Sequence, residues 1–443
     1  MSCAGLVPAL RLAESAGLSD LFEQHLSVAA PNATAKASSV IGGMLAGADS
    51  IDGLGLLRHG GMARLFDGVR APSTLGTFLR SFTHGHVQQL DAAGARLLAG
   101  LTARVPGLLA GGQSRDGLAF IDIDDTIREV HGYDKQAAAY GYSGVRGLNI
   151  QAAALSTPIA APLIAAARLR RGNTGSARGA GRLLAQTVTR ARSAGVSCRL
   201  MVRADSAYYG WALVGAALRH DLWFSVTARM TPTVQAAITS IDQGTWTPIK
   251  YPKAIFDQEQ QRWISDAEVA EIPFVAFTSR RTAEQVPCRL VVRRVRRLQP
   301  ATSDGSAQGE LFATYRHHAF ITNSALSSIE ADERHRDHAI IEQVIAEVKD
   351  GPLAHLPSKS YAANAAWVAL AVIAFNIARA AAVAAGQANA RWATLRTRII
   401  NVPARIATTA RRVVLHLPTN WPWAAAWETL HTAATGPPGP ART

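Results

Sequence analysis

Cysteine and acidic charge are the two scarce commodities in this chain. It holds three cysteines in 443 residues, Cys3, Cys198 and Cys288. Their number is odd and their spacing matches no metal motif, which argues against a disulfide framework or a structural zinc site and for reduced intracellular thiols. No basic segment followed by an apolar stretch opens the sequence, so no secretory signal is expected. No internal repeat is present. The longest apolar run, residues 367–385, is interrupted by Asn376 and Arg379. It reads as a buried helix and not a membrane span. Asp and Glu number 32 against 46 Lys and Arg, a formal net charge of +14. That balance suits a polyanionic partner such as nucleic acid, although an Arg-rich proteome produces it without any such partner.

What is present is apolar material ample for real cores, 48% of residues, in a chain whose 443 residues suggest two to four domains. The first hundred or so residues read as helical. Ser73 is placed to cap a short helix over residues 74–82, with Arg80, His84, His86, Gln88 and Gln89 nearby. Such a region is either a small DNA-contacting domain or an ordinary helical cap. Turn chemistry over residues 107–117 marks a boundary. Then come strands over 118–124, 147–156 and 160–169, a helix over 179–194, a strand over 197–204, a helix over 211–219 and a strand over 222–228. Consecutive βαβ units imply a sheet with parallel neighbours. Residues 231–323 break the rhythm with short alternating segments, a β-rich insertion containing a polar loop over 299–310. A helical pattern over 335–349 follows, and the region from 362 to about 432 is mainly helical with Pro breaks. The tail TGPPGPART is disordered by composition.

Three acidic sites are set far apart where strands and helices would aim them inward. Asp122 and Asp124 alternate with Ile121 and Ile123 in LAFIDIDDT and share one strand face at its C-terminal end, where ligands bind in open α/β sheets. Asp205 ends the strand in CRLMVRADSAYYG. Glu342 lies in HAIIEQVIAEVKDG, where helical geometry puts Glu342, Ile345, Ala346 and Lys349 on one stripe. Glu347, about 140° away around that helix, reads as a solvated ion-pair former. Hard oxygen ligands without a convergent His/Cys set point to Mg²⁺ or Mn²⁺.

D-x-D-x-T after an apolar strand also resembles the nucleophile motif of haloacid dehalogenase-type phosphatases, with Asp122 attacking phosphorus and Asp124 as acid/base. The later G-D-x-x-x-D pair of that family is missing: Ala204 precedes Asp205 and Tyr209 stands four positions on. A third alternative is a DNA-binding protein without turnover.

D-x-D-x-T, then HGYDKQAAAYGYSGVRG, R-x-DSAYY, E-x6-K and GPLAHLP together resemble the DDE transposases of bacterial insertion sequences, most closely the insertion sequence 1380 family within the insertion sequence 4 superfamily. The likeness covers residues 72–422. It implies an α/β fold: an RNase H-like catalytic core with a β-rich insertion, flanked by helical N- and C-terminal regions. The implied division is a DNA-binding region over 1–112, core over 113–230 and 326–385, insertion over 231–325, helical region over 386–434 and tail over 435–443. By position, Asp124 resembles the first catalytic Asp with Asp122 as neighbouring candidate, Asp205 the second, Glu342 the Glu. Lys349 resembles the lysine of the signature Y-x2-R-x3-E-x6-K. Where Tyr and Arg are expected the chain has His335 and His338, the latter a pH-dependent phosphate contact.

The resemblance implies two Mg²⁺ ions, with Mn²⁺ as an alternative, held by Asp124, Asp205 and Glu342. It implies cleavage of double-stranded DNA at terminal inverted repeats and strand transfer to a target, by a homodimer in the synaptic complex, in the bacterial cytoplasm at the nucleoid and with no membrane partner. Arg293, Arg294, Arg296 and Arg297 form the densest basic cluster of a DNA track. Arg168, Arg170 and Arg171 form a second, and Arg405, Arg411 and Arg412 a third. Trp246 and Trp263 are aromatic candidates for stacking on an unpaired base, or for core packing.

Overall fold

A computed structural model describes residues 1–66, 68–249, 256–257, 262–263, 267–296, 315–409 and 412–436. In chain order the helices are α1 Leu6–Ser15, α2 Leu18–His25, α3 Ala33–Ala46, α4 Pro72–Arg80, α5 His84–Arg104, α6 Ala180–Ser193, α7 Trp211–Arg219, α8 Pro232–Thr239, α9 Ser328–Arg336, α10 Ile340–Lys349, α11 Tyr361–Ala384, α12 Trp392–Leu395 and α13 Ala424–Thr435. The strands are β1 Leu118–Glu129, β2 Ala139–Tyr140, β3 Arg146–Ser156, β4 Leu163–Arg171, β5 Arg199–Ala204, β6 Trp223–Thr227, β7 Thr247–Ile249, β8 Phe256–Asp257, β9 Arg262–Trp263, β10 Ala267–Ala276, β11 Val286–Arg296, β12 Tyr315–Thr322, β13 Arg405–Thr409 and β14 Arg412–His416. The architecture is mixed α/β. The chain forms two compact units: residues 1–178, 182–200 and 340–443, and residues 179–181 and 201–339.

In the first unit β1 pairs antiparallel with β3, and β3 with β2 and β4. β1 runs five residues past the expected end at Asp124, because the ladder to β3 continues through Arg128 opposite Leu148 and Glu129 opposite Gly147. The acids therefore sit in mid-strand and not at its tip. Helix α11 packs on β4, α5 and α3. It is long and apolar enough to cross a membrane, and 83% of its apolar window is buried inside the protein. The two polar interruptions have buried tasks. Asn376 accepts from the Ile164 N–H at 3.0 Å and donates to the Ile164 carbonyl at 2.9 Å, satisfying both backbone groups at that point of β4. Arg379 pairs with Glu347 at 2.7 Å and caps the Ala390 carbonyl.

Two local expectations are corrected in this unit. The short helix of the N-terminal region starts with Pro72 at its first position and Ala71 as its cap, so Ser73 is inside it; Pro suits a position whose N–H has no helical acceptor. The C-terminal region contains the hairpin β13–β14, with Arg405 opposite His416 and Thr409 opposite Arg412, where β-branched Thr and Val override the helical expectation.

In the second unit β5 and β6 are parallel, joined by α7, and this is where the βαβ expectation holds. The sheet continues antiparallel through β12, β11, β10 and β7. The β-rich segment thus extends the sheet from β6 outward. The polar loop expected over 299–310 lies outside the described residues. The continuous helix expected over 335–349 is two helices separated by a 3-10 turn at Asp337–Ala339. Asp332, 1% exposed, anchors the last turns of α9 by pairing with Arg293 at 2.8 Å and Arg336 at 2.9 Å.

Candidate active site

Ile121 and Ile123 are fully buried, which locks the register of β1. That register puts small side chains opposite the acids: Asp122 faces Ala154 and Asp124 faces Ala152. Asp122 is 0% exposed, whereas Asp124 is half-exposed. On α10, Ile341, Val344 and Val348 are buried, and the helix packs on β1. The other stripe of α10 carries Glu342, Ile345, Ala346 and Lys349, as its period dictates.

This stripe and β1 border an open, solvent-facing pocket of about 500 Å³ lined by Asp124, Asp125, Thr126, Glu342, Ile345, Ala346, Lys349 and Asp350. Two acids separated by more than two hundred residues thus open on one space within the first unit. The Lys349 ammonium donates to the Thr126 hydroxyl at 3.3 Å. The Asp125 backbone N–H donates to Asp124 Oδ1 at 2.7 Å, orienting that carboxylate. A cavity of similar size, about 570 Å³, lies among α1, α2 and α3; it is lined by a mixture of apolar and polar side chains, among them Arg11, Glu14 and Glu23, and contains none of the candidate acids.

Asp125 is the residue that sequence reasoning missed. Its side chain pairs with Arg170 at 3.0 Å, the two side chains being 10% and 9% exposed. Asn149 Nδ2 also donates to it, and Arg170 Nε donates to Asn149 Oδ1 at 2.8 Å. Arg170 further donates to the carbonyls of Ser176 and Arg178 at 3.2 and 2.8 Å. The adjacent D-D-T was visible in the sequence, but the partner on β4 depends on two strand registers.

Asp205, in the second unit, directly follows β5. It is exposed and accepts the Ala207 N–H at 3.0 Å, capping a 3-10 turn. His338 is half-buried in the turn at Asp337–Ala339. His335 stacks on Phe320 with centroids 4.1 Å apart and lies 2.8 Å from Ser225 Oγ and 3.0 Å from Thr227 Oγ1. Burial, reinforced by the neighbouring His338, Arg203, Arg293 and His318, pushes its pKa well below the usual histidine value.

The basic clusters divide. Arg293 and Arg294 are each 8% exposed and ion-paired, to Asp332 at 2.8 Å and Glu268 at 2.5 Å. Arg294 also lies between Trp246 and Tyr315, 4.2 and 4.5 Å from their ring centres. The expectation that these two side chains face DNA is corrected: they point to opposite faces of β11, and each is covered there by its own acid or ring partners inside the unit. Arg296 is exposed, and Arg297 lies outside the described residues. Arg170 is spent on Asp125, whereas Arg171 and Arg405 are exposed. Arg411 and the side chains of Arg412 and Trp263 lie outside the described residues. Trp246 is packed at 8% exposure. Glu347, expected to be solvated, forms a buried pair with Arg379 and accepts the Trp392 N–H at 2.8 Å.

Among the described residues no three His, Cys, Asp or Glu side chains are arranged to hold a metal ion. The Asp124 and Glu342 carboxylates are nonetheless hard oxygen donors beside a roomy cavity, the kind of partial ligand set that Mg²⁺ accepts while keeping several waters. Asp122, the nucleophile of the phosphatase alternative, is fully buried. No curated protein matches the chain. The family model described as Transposase DDE domain group 1 matches residues 73–435. One family thus spans most of the sequence, including all three acid sites, and the chain belongs to the DDE transposases, enzymes of DNA phosphoryl transfer.

Proposed function

We propose that this chain is the transposase of a bacterial insertion sequence, of the 1380 family within the insertion sequence 4 superfamily, built on an RNase H-like core. Its reaction is Mg²⁺-dependent cleavage at terminal inverted repeats followed by strand transfer into target DNA. The single observation that supports this most is the cavity shared by Asp124 and Glu342. By resemblance to the family, Asp205 would join Asp124 and Glu342 as the carboxylates that would hold two Mg²⁺ ions, with Mn²⁺ as an alternative. Bound there, the metal supplies the charge that activates an attacking water or 3′-hydroxyl and neutralises the leaving oxygen.

The protein's own groups position the DNA. Asp124 is held for this task by the Asp125 N–H, and the guanidinium of Arg170 balances the second carboxylate so that negative charge does not accumulate against the phosphate. Lys349, tethered at Thr126, takes a non-bridging phosphate oxygen. Asp122 supports the strand from within. His338 and the exposed Arg296 contact the DNA backbone outside the cavity.

The helical region over 1–112 binds element ends, 113–230 and 326–385 form the core, 231–325 the insertion, and 386–434 the C-terminal helical region. The enzyme works as a homodimer that pairs two ends, in the cytoplasm at the nucleoid. Incubation with element-end DNA, with and without Mg²⁺, tests this function: 3′-OH ends at the repeat boundary are expected only with the metal. Hydrolysis of small phosphate esters without DNA cleavage would overturn it.

A further inference from the structure

The motif HGYDKQAAAYGYSGVRG has no task in the chemistry above. It builds an arm at the end of the β1–β3 ladder. Strand β2 turns back into β3 through Gly141–Gly144, closed by the Gly144 N–H donating to the Gly141 carbonyl at 3.1 Å. Gly144 has φ +69°, which favours glycine. The base of the arm is backbone against backbone. A Cβ on Gly172 would lie 2.0 Å from the Gly147 carbonyl oxygen and 2.5 Å from that of Ala139. On its other side, Lys135 donates to the Ser358 carbonyl at 3.0 Å and to that of Leu356, and the Gln136 N–H donates to the Lys359 carbonyl at 3.0 Å. The arm is therefore pinned from both sides.

Although its backbone is pinned, the arm displays its aromatic residues to solvent. Tyr133 is 85% exposed, Tyr140 65% and Tyr142, on the turn, 110%. Cations interleave with the rings. Arg146 lies opposite Tyr140 in the ladder, and its guanidinium carbon is 5.2 Å from the Tyr133 ring centre. Arg171 is exposed beside the arm at the end of β4. Of the nearby acids, Asp134 is paired with Lys359 at 2.7 Å and Glu129 is exposed at the foot of the arm. Exposed rings alternating with guanidinium groups are the chemistry of a surface that stacks unpaired bases and neutralises their phosphates. The distance is also suitable. Glu129, at the foot of the arm, is three residues along β1 from Thr126 in the cavity, roughly 10 Å of strand.

We propose that Tyr133, Tyr140 and Tyr142 form a stacking platform for unpaired bases of the DNA strand that flanks the scissile phosphate. The proposal rests on the transposase function for the identity of that strand, but its test requires no cleavage.

The test is fluorescence anisotropy of the full chain in EDTA, with a short labelled oligothymidylate and a random duplex of equal length. The triple variant Tyr133→Ala/Tyr140→Ala/Tyr142→Ala is expected to bind oligothymidylate at least about tenfold more weakly, with duplex affinity changed by less than about twofold. The corresponding Tyr→Phe triple, which keeps the rings, is expected to bind like wild type. Circular dichroism and thermal melting select variants that remain folded. Wild-type affinity of the alanine triple for oligothymidylate would overturn the platform. So would equal loss in the phenylalanine triple, or a dimer lost in sedimentation while DNA affinity stays unchanged, which would assign the tyrosines to a second copy of the chain. Absence of cleavage activity would count against the transposase function and leave this binding measurement intact.

Discussion

The Lys349 ammonium donates a hydrogen bond to the Thr126 hydroxyl at 3.3 Å. This contact ties the helix that carries Glu342 to the strand that carries Asp124, across 223 positions of sequence. It also holds a positive charge at the mouth of an acidic cavity. The Lys349→Met variant should keep its fold, since Val344 and Val348 supply the buried face of α10. It should bind element-end DNA more weakly, with the slope of log affinity against log salt reduced by about one. Salt titration of end binding measures this; an unchanged slope would remove Lys349 from phosphate contact.

Arg170 is the charge partner of Asp125 behind the cavity. Arg170→Met leaves a nearly buried carboxylate without its guanidinium and should destabilise the first unit by about 3–5 kcal/mol. Adding Asp125→Asn should restore part of that loss, because the uncompensated charge is then gone. Urea unfolding of the two variants gives the comparison; equal stability of Arg170→Met and wild type would show the pair to be dispensable.

His335 produces a pH dependence with a definite sign. Its folded pKa is depressed by burial and by neighbouring cations, and burial likewise depresses His317 and His318. Below about 6.5, the unfolded value, the unfolded chain takes up protons that the folded protein refuses, so stability falls as pH falls through that region. For His335 the slope has an upper limit of about 1.4 kcal/mol per pH unit, and the partly exposed His317 and His318 contribute less. Denaturation at pH 7.5 and 5.5 should show the loss, and His335→Gln should flatten the profile even though it lowers stability at pH 7.5. A profile with unchanged steepness would exclude His335 as a source.

The thiols should be silent in the folded protein. Cys3 and Cys198 are buried with raised pKa values, and burial pushes Cys288 up to about 12. At pH 8 the thiolate fraction of Cys288 is on the order of 10⁻⁴. Disulfide-exchange reagents should label all three only after unfolding; rapid labelling of the native protein would contradict the packing around them.

The sequence already displayed the alternation of β1 and the stripe Glu342–Ile345–Ala346–Lys349, because both follow from local periodicity and a buried face. The helix α7 has the expected ends, and Asn376 and Arg379 marked α11 as a buried helix. Long-range pairing was not legible. Arg170 meets Asp125 only through the registers of β1 on β3 and β3 on β4, and nothing local in R-x-R-R specifies it. Arg293 and Arg294 resembled a surface track because charge patterns do not reveal that Asp332 and Glu268 wait on neighbouring elements. The break at Asp337–Ala339 was hidden for the same reason: the anchor of α9 is the buried ion pair of Asp332 with Arg293 on β11 and not a proline or glycine.

The proposed mechanism requires Asp124 and Glu342 to act on one divalent ion, and a change of ligand softness tests this directly. Asp124→Cys and Glu342→Cys each replace a hard oxygen by a sulfur that prefers softer metals. Losing a ligand's share of several kcal/mol of charge stabilisation should cost on the order of 10²–10³-fold in the rate of end cleavage with Mg²⁺. Cleavage should return in part when Mn²⁺ or Cd²⁺ replaces Mg²⁺. Wild-type rates with Mg²⁺ from either variant would contradict the shared site.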